Sequence, residues 1–218
     1  MATKRSYGDR CGIARALDLV GERWALLVVR ELLLGPKRFT DLRAGLPHLG
    51  PDVLSQRLRE LEGAGVLGRR VLPPPAGSRV YELTDRGREL EPAVLALGRW
   101  GSRAPFPPGD AAIGVDAVML ALRTLFDPPA AGDLTASWEP RLGEHRFAAR
   151  VGDGRLDVAR GDAGRPDAVI DTEPGTLAAL LWHGHEVAAA ERADRLTIDG
   201  DRALAERFLT LFPLPAGG

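Results

Sequence analysis

The sequence has a single cysteine, Cys11, and no long apolar run among its 218 residues. One cysteine cannot form an intramolecular disulfide, nor can it supply the several Cys and His ligands of a zinc cage. The first ten residues are polar, unlike a secretory signal, and the apolar runs 25–29 and 32–34 are much shorter than the about 20 residues of a membrane span. We therefore expect a cytoplasmic protein without a membrane partner.

The signature motifs of the common enzyme classes are missing too. The chain contains no GxSxG, no Walker loop, no HExxH and no dinucleotide fingerprint. His183 and His185 lie two residues apart, but no third ligand is evident, so we expect no metal site. We expect neither catalysis nor a cofactor.

The whole chain has almost no net charge, because its 29 basic and 30 acidic residues sum to −1. The two halves differ, however: residues 1–104 carry +6 and residues 105–218 carry −7. This asymmetry suggests that one half faces a nucleic acid or a membrane and is joined to a half with another task.

The charge changes sign at GSRAPFPPGD, residues 101–110, which holds three prolines and two glycines. Proline removes backbone donors and glycine weakens regular structure, so this segment predicts a linker. We expect a first domain over residues 1–101, a linker over 102–110 and a second domain over 111–218.

The hydrophobic pattern before the linker is mostly helical. It predicts two strands joined by a tip at 73–77, and these strands follow three helices and precede a fourth. The predicted helices are 23–34, 39–44, 51–64 and 85–100, and the predicted strands are 67–72 and 78–83. This order is typical of a winged helix-turn-helix.

The pattern after the linker mixes strands with helices and predicts an α+β domain, in which helices pack on a mainly antiparallel sheet. The predicted helices are 116–126, 174–182 and 201–211, and the predicted strands are 134–138, 144–151, 155–160, 168–172 and 196–199. The fold class expected for the whole chain is α+β.

The predicted helix 51–64 has one apolar and one polar side. Leu54, Leu58 and Leu61 stand at i, i+4 and i+7 and form a stripe that should pack on the domain. The polar side would enter the major groove of DNA, where Gln can pair with adenine and Arg with guanine, while hairpin arginines would reach phosphates or the minor groove. The candidate DNA-binding residues are Asp52, Ser55, Gln56, Arg57, Arg59, Arg69, Arg70 and Arg79.

The stretch from Cys11 to Gly101 resembles the HxlR-type branch of the MarR-like winged-helix repressors. The matching pieces occur in the family's order: CGIARALDLVGERWALLVVRELLLGPKRFTDLRAGLP, LSQRLRELEGAGVLGRR, YELTDRGREL and LGRWG. The resemblance implies a homodimer, built by the first helix and the helix 85–100, that binds a palindromic operator in double-stranded DNA. It also implies that the helix carrying Ser55, Gln56, Arg57 and Arg59 reads the major groove. The hairpin before Tyr81 departs from the family pattern.

Residues 116–213 resemble the sterol-carrier-protein type domain. The matching pieces are VGDGRLDVARG and PDAVIDTEPGTLAALLWHGHEVAAAERADRLTIDGDRALAERFLTLFP. The resemblance implies a curved sheet whose helices enclose an apolar tunnel for lipid-like molecules, and in a regulator such a domain would sense a small apolar ligand. A set of aromatic and aliphatic residues could line the tunnel or simply form the core: Trp138, Phe147, Leu177, Leu181, Trp182, Phe208 and Phe212.

We therefore expect a sequence-specific transcriptional regulator, a repressor, whose DNA binding a small apolar effector modulates through the second domain. One alternative is a thiol-based redox regulator using Cys11, since some relatives sense oxidants through a thiol at this place, although a free cysteine is more often a buried packing residue. Another alternative is a lipid-binding accessory protein.

Overall fold

The computed structural model describes residues 6–74, 77–104 and 113–215. The chain divides between Val94 and Leu95 into an N-terminal unit and a C-terminal unit. The expected linker, 102–110, lies outside the described residues from position 105 onward. The domain boundaries expected at 101 and 111 stay a prediction.

The N-terminal unit is a group of helices with one β-hairpin. Its elements are α1 (Gly12–Val20), α2 (Ala25–Leu32), α3 (Phe39–Gly45), α4 (Pro51–Gly63), β1 (Leu67–Val71), β2 (Arg79–Leu83) and α5 (Asp85–Arg88). β1 and β2 pair antiparallel, with Leu67 opposite Leu83. The predicted order from α2 to β2 is confirmed, and it is that of a winged helix-turn-helix domain, whereas α1 was not predicted.

The core of the N-terminal unit lies between α2, α3 and α4. Leu54, Leu58 and Leu61 are buried there together with Val28 and Leu42. The stripe predicted from the i, i+4, i+7 spacing is confirmed. Because these three leucines dock α4 on the core, the opposite side of the helix is left facing solvent.

The helix predicted over 85–100 is interrupted in the structure, and the prediction of one continuous helix was wrong. α5 ends at Arg88, and a second helix, α6 (Glu91–Gly101), begins after two residues. Pro92 explains the break, because it has no N–H for the carbonyl of Arg88 and its ring crowds the preceding turn. Thr84 caps the start of α5, since its hydroxyl accepts the Gly87 N–H at 3.0 Å.

The C-terminal unit contains a five-stranded sheet in the order β5-β4-β3-β6-β7. Every neighbouring pair is antiparallel except β3 and β6, which are parallel. α7 packs against α9 and β5, while α11 packs against β6 and β7. The α+β expectation is confirmed. The elements are α7 (Val115–Leu125), α8 (Pro128–Ala131), β3 (Ala136–Leu142), β4 (His145–Gly152), β5 (Arg155–Arg160), β6 (Ala168–Thr172), α9 (Pro174–Trp182), α10 (Val187–Arg192), β7 (Leu196–Gly200) and α11 (Arg202–Leu209).

Two features of this unit differ from the pattern prediction. The strand expected to end at Trp138 continues to Leu142 through Pro140. The ladder between β3 and β4 pairs Trp138 with Ala149 and resumes at Arg141 with Arg146, so the proline lies where the two strands are not directly paired. The short helices α8 and α10 were not predicted, because four to six residues are too few to display a helical period.

Candidate nucleic-acid interface

Glycine and proline residues mark both ends of α4. Gly50 is extended, Pro51 occupies the first turn, and Gly65 adopts φ +70° directly after the helix. Proline suits the first turn because its missing N–H would have had no partner there, and glycine tolerates a positive φ. The helix start presents its free N–H groups, and its positive dipole end favours an anion nearby.

The solvent-facing side of α4 carries the predicted polar residues. Asp52, Gln56 and Arg59 are exposed and Ser55 is half-buried. Within the described part of the chain, Arg59 has no hydrogen bond or ion pair, so its guanidinium is free to meet an acceptor. Gln56 donates from Nε2 to Glu60 Oε1 at 2.9 Å.

Arg57 differs from the other residues predicted for this surface, because it is only 9% exposed. Its Nη1 lies 2.5 Å from Glu60 Oε2 and 3.6 Å from Glu22 Oε2. Arg57 follows Leu54 by three positions, which turns it about 60° from the apolar stripe at 100° per residue. Arg57 therefore lies closer to the core than to the exposed side of α4.

The hairpin places two of its three predicted arginines in ion pairs. Arg69 Nη2 lies 2.8 Å from Glu62 Oε2, and its guanidinium stacks 5.5 Å from the centre of the Tyr81 ring. Arg70 Nε donates to Glu82 at 3.0 Å. Arg79 is exposed and, among the residues that the structure describes, unpaired. Residues 75 and 76 of the predicted hairpin tip lie outside the described residues.

A buried carboxylate supports this hairpin, and sequence reasoning missed it. Glu31 is 1% exposed and pairs with Arg30 Nη2 at 2.7 Å and with Lys37 Nζ at 2.6 Å. The backbone of Lys37 exchanges two hydrogen bonds with Tyr81 of β2, at 2.8 and 3.0 Å. Glu31 stands with Arg30 between the apolar runs 25–29 and 32–34, and that placement was the available signal.

Cys11 is exposed, immediately before α1. Its N–H donates to Asp9 Oδ1 at 2.9 Å, and its sulfur caps no helix N–H. In the chain taken alone, the interpretation of Cys11 as a buried packing residue is therefore wrong.

The aromatic residues considered for a tunnel in the C-terminal unit pack on one another. The rings of Trp138 and Phe208 lie 5.0 Å apart, and so do those of Phe208 and Phe212. Trp182 donates from Nε1 to the Phe212 carbonyl at 3.0 Å. Phe147 and Leu177 are buried, and Leu181 is half-buried. In this conformation five of the seven are core residues, Leu181 and Trp182 are half-buried, and the part of the set in ligand binding stays a prediction.

A cleft of about 410 Å³ opens on another side of α9. Its lining combines small apolar side chains with a few polar ones: Gly175, Thr176, Ala179, His185, Glu186, Ala189, Ala190 and Arg195. Sequence reasoning weighed His185 only as a metal ligand. Within the described ranges no cluster of three His, Cys, Asp or Glu residues is arranged to hold a metal ion, and no helix has both the length and the apolarity to cross a bilayer.

Comparison with known proteins assigns the N-terminal part of the chain. The model of the HxlR-like helix-turn-helix family matches residues 19–105. The uncharacterised HTH-type transcriptional regulator YvaP of Bacillus subtilis strain 168 is 41% identical over 88 residues, which make up 40% of this chain and 82% of YvaP. This chain belongs to the HxlR family. It is therefore a DNA-binding helix-turn-helix transcriptional regulator.

Two further similarities cover the same share of this HxlR-family chain. The uncharacterised HTH-type regulator sll1512 of Synechocystis sp. PCC 6803 is 39% identical over 95 residues, 44% of this chain and 70% of that protein. A solved structure described as the redox regulator HypR in its oxidized form is 33% identical and covers 44% of this chain and all of HypR, with a TM-score of 0.42. The family model ends at residue 105, so most of the C-terminal unit lies outside it.

Proposed function

We propose that this HxlR-family regulator represses transcription by binding a palindromic operator as a homodimer. The exposed side of α4 would lie in the major groove, with Arg59 and Gln56 at base edges and Asp52 and Ser55 beside them. Arg69, Arg70 and Arg79 would approach phosphates beside the groove. The observation that carries this proposal is the exposed guanidinium of Arg59, which pairs with none of the described residues and lies in the middle of the solvent-facing side of α4.

A gel-shift assay with the DNA upstream of the protein's own operon tests this proposal. We expect a complex that forms at low salt, weakens as salt rises and prefers the operator to random duplex of equal length. Equal affinity for both duplexes, or no shift at all, would remove the proposal of a sequence-specific regulator.

The dimer would bury two apolar surfaces that the single chain leaves open. On α1, Ile13 and Leu17 are exposed at i and i+4. On α6, Leu97 and Trp100 are exposed at i and i+3, and Trp100 is 72% exposed. None of the eleven residues of α6 is buried. Exposed apolar side chains at helical spacing favour contact with another protein surface, and a second copy of the same chain fits the two-fold symmetry of a palindrome.

We further propose that the C-terminal unit is a sterol-carrier-like domain that senses a small apolar effector. The cleft beside α9 is lined by three alanines together with His185, Glu186 and Arg195. The set proposed to line a tunnel would open one only after the ring contacts of Phe208 with Trp138 and Phe212 separate. Its members are Trp138, Phe147, Leu177, Leu181, Trp182, Phe208 and Phe212. Native mass spectrometry of freshly purified protein distinguishes an occupied from an empty domain, and an empty domain that binds no added lipid would contradict effector sensing.

α6 is the element we propose to carry the signal between effector and DNA. It continues across the division between the two units, and its C-terminal part contacts α7, where Arg99 donates to the Thr124 carbonyl at 2.6 Å. The effector would favour a dimer whose α4 helices no longer match half-sites about 34–36 Å apart. Operator affinity should then fall when the effector is added, and an unchanged affinity would argue against this coupling.

The exposure of Cys11 favours a second candidate, a thiol-based redox response. A solvent-accessible thiol can meet an oxidant, which a buried one cannot. Under this proposal an oxidant releases the wild-type protein from the operator, and Cys11→Ser keeps it bound. Equal release of both proteins would eliminate the thiol switch.

A further inference from the structure

Glu60 is an unexpected residue on the surface that should face DNA. It lies on the solvent side of α4, one position after Arg59, where its negative charge would approach phosphates. A carboxylate in that place lowers affinity for any duplex unless it has another task. Its contacts within α4 indicate what that task is.

Both oxygens of Glu60 are engaged by other residues of the same helix. Oε1 accepts a hydrogen bond from Gln56 Nε2 at 2.9 Å, and Oε2 lies 2.5 Å from Arg57 Nη1. The spacings are i+4 and i+3, so all three side chains meet on one stretch of helix surface. The carboxylate thus connects a nearly buried cation to an exposed amide.

The buried Arg57 side chain holds the Glu60 carboxylate in place. Its Nε and Nη1 are enclosed and make no well-aligned hydrogen bond, so the nearby carboxylates of Glu60 and Glu22 compensate its charge. A buried cation without a counter-ion is costly, and the closer carboxylate is that of Glu60. Glu60 is therefore held in place from the core side of the helix.

A fixed carboxylate determines which way the Gln56 amide points. The amide has one acceptor oxygen and two N–H donors. Turning it over would bring its oxygen against the Glu60 carboxylate, so the orientation with Nε2 toward Glu60 is favoured. One N–H and the oxygen remain outward, and this pair is what a glutamine uses to bind N7 and the 6-amino group of adenine.

We propose that Arg57 and Glu60 are positioning residues that orient the Gln56 amide for adenine. This inference rests on the proposed insertion of α4 into the major groove. The charge of Glu60 lowers affinity for every duplex, while its contact with Gln56 increases the preference for adenine over other bases at the position that Gln56 contacts. Removing its side chain has two opposite effects: binding to random DNA becomes tighter, and the preference for adenine at one operator position falls.

The test is selection from a pool of random DNA duplexes by the full-length protein, followed by sequencing of the bound fraction. Wild type is expected to enrich a palindromic motif that contains an adenine which Gln56→Ala no longer selects. Glu60→Ala is expected to lose selection at that same position, by about 5- to 100-fold as for one bidentate contact, and to keep the rest of the motif. Glu60→Gln keeps an acceptor for Gln56 and should restore part of the preference.

Glu62→Ala is the matched control, because it removes an equal charge from the same helix but pairs with Arg69 rather than with Gln56. Both alanine variants should bind random duplex more tightly, while only Glu60→Ala loses the adenine. Arg57→Met should lose it as well, and circular dichroism must first establish that this variant with an altered buried residue is folded.

Two kinds of result would overturn a proposal, and they can be told apart. If Glu60→Ala selects adenine as strongly as wild type, or if the position lost in Gln56→Ala prefers another base, the positioning proposal is overturned and the DNA-binding function stands. If wild type enriches no motif, the proposed sequence-specific function itself fails.

Discussion

The Lys37 ammonium lies 2.6 Å from a carboxylate oxygen of Glu31, a residue that is almost wholly buried. Through this pair, α2 is tied to the segment that runs beside β2. The backbone of Lys37 pairs with Tyr81, so the ion pair and the added strand pairing support the same corner of the hairpin. These contacts hold in place the end of the hairpin nearest α2, and thereby the strands that carry the hairpin arginines.

Lys37→Ala should destabilise the protein, because among the described residues it leaves Arg30 as the remaining ion-pair partner of the buried Glu31. We expect a loss of about 1–3 kcal/mol in the free energy of unfolding, measured by urea denaturation. The exposed Arg43→Ala serves as the control and should change stability by less than about 0.5 kcal/mol. Equal effects of the two substitutions would show that the Glu31 pair is not supporting the fold.

Gly87→Ala should be destabilising for a steric reason. A Cβ at this position would lie 2.0 Å from the Val66 carbonyl oxygen, so backbone must shift to admit it. We expect a cost of about 1–3 kcal/mol in thermal or urea unfolding. Gly63→Ala is the matched control, since its Cβ meets nothing within 4 Å in α4, and alanine favours helix there. A neutral Gly87→Ala would contradict the close approach.

Arg59→Ala and Arg69→Ala should weaken DNA binding in different ways. Loss of a bidentate base contact at Arg59 would lower specificity by about 1–3 kcal/mol, while loss of a phosphate contact at Arg69 would weaken all duplexes alike and reduce the salt slope by about one. Fluorescence anisotropy at several salt concentrations separates the two. Arg155→Ala, which changes an exposed residue of β5, should leave both quantities unaltered.

Glu139 gives the C-terminal unit a stability that depends on pH. The Ala163 N–H donates to its carboxylate at 3.0 Å and, with Arg141, holds the pKa of Glu139 below its ordinary value of 4.5. A lowered pKa in the folded state stabilises the protein above the unfolded-state pKa, and this contribution disappears as pH falls through the folded-state pKa.

Glu139→Gln should therefore lower stability at pH 7, by about 1–3 kcal/mol, and the difference from wild type should shrink below about pH 4.5. Chemical denaturation at pH 7 and at pH 3.5 measures it. Glu144→Gln makes the same chemical change at an exposed position and is the comparison. A pH-independent deficit in Glu139→Gln would mean that packing, rather than the carboxylate charge, is responsible.

Trp100→Asp and Ile13→Asp should each convert the proposed dimer toward monomer, because a charge placed in an apolar interface must be desolvated. Sedimentation velocity of the two variants reports the change directly. Val71→Asp is the control, since Val71 is an exposed apolar residue of the hairpin and not of α1 or α6. Dissociation by this control alone would point to a different interface.

Features that depend on neighbouring residues could be predicted well. The leucine spacing of α4, the Thr84 cap and the turns between β4 and β5 follow from periodicity and local backbone preference. The break at Glu89 and Leu90 was also encoded locally, in Pro92, and was overlooked. The course of β3 through Pro140 was not readable, since an internal proline normally argues against a strand and only the pairing partners decide otherwise.

The amino-acid sequence alone was sufficient to establish two halves of opposite charge, the winged-helix order and the side of α4 that faces solvent, because these follow from composition and from spacing along the chain. It could not establish that Arg57 is buried while Arg59 is exposed, or that the rings of Trp138, Phe208 and Phe212 pack on one another. Burial and ion pairing depend on segments distant in sequence, such as Glu22 against α4, and these come together only when the chain has folded.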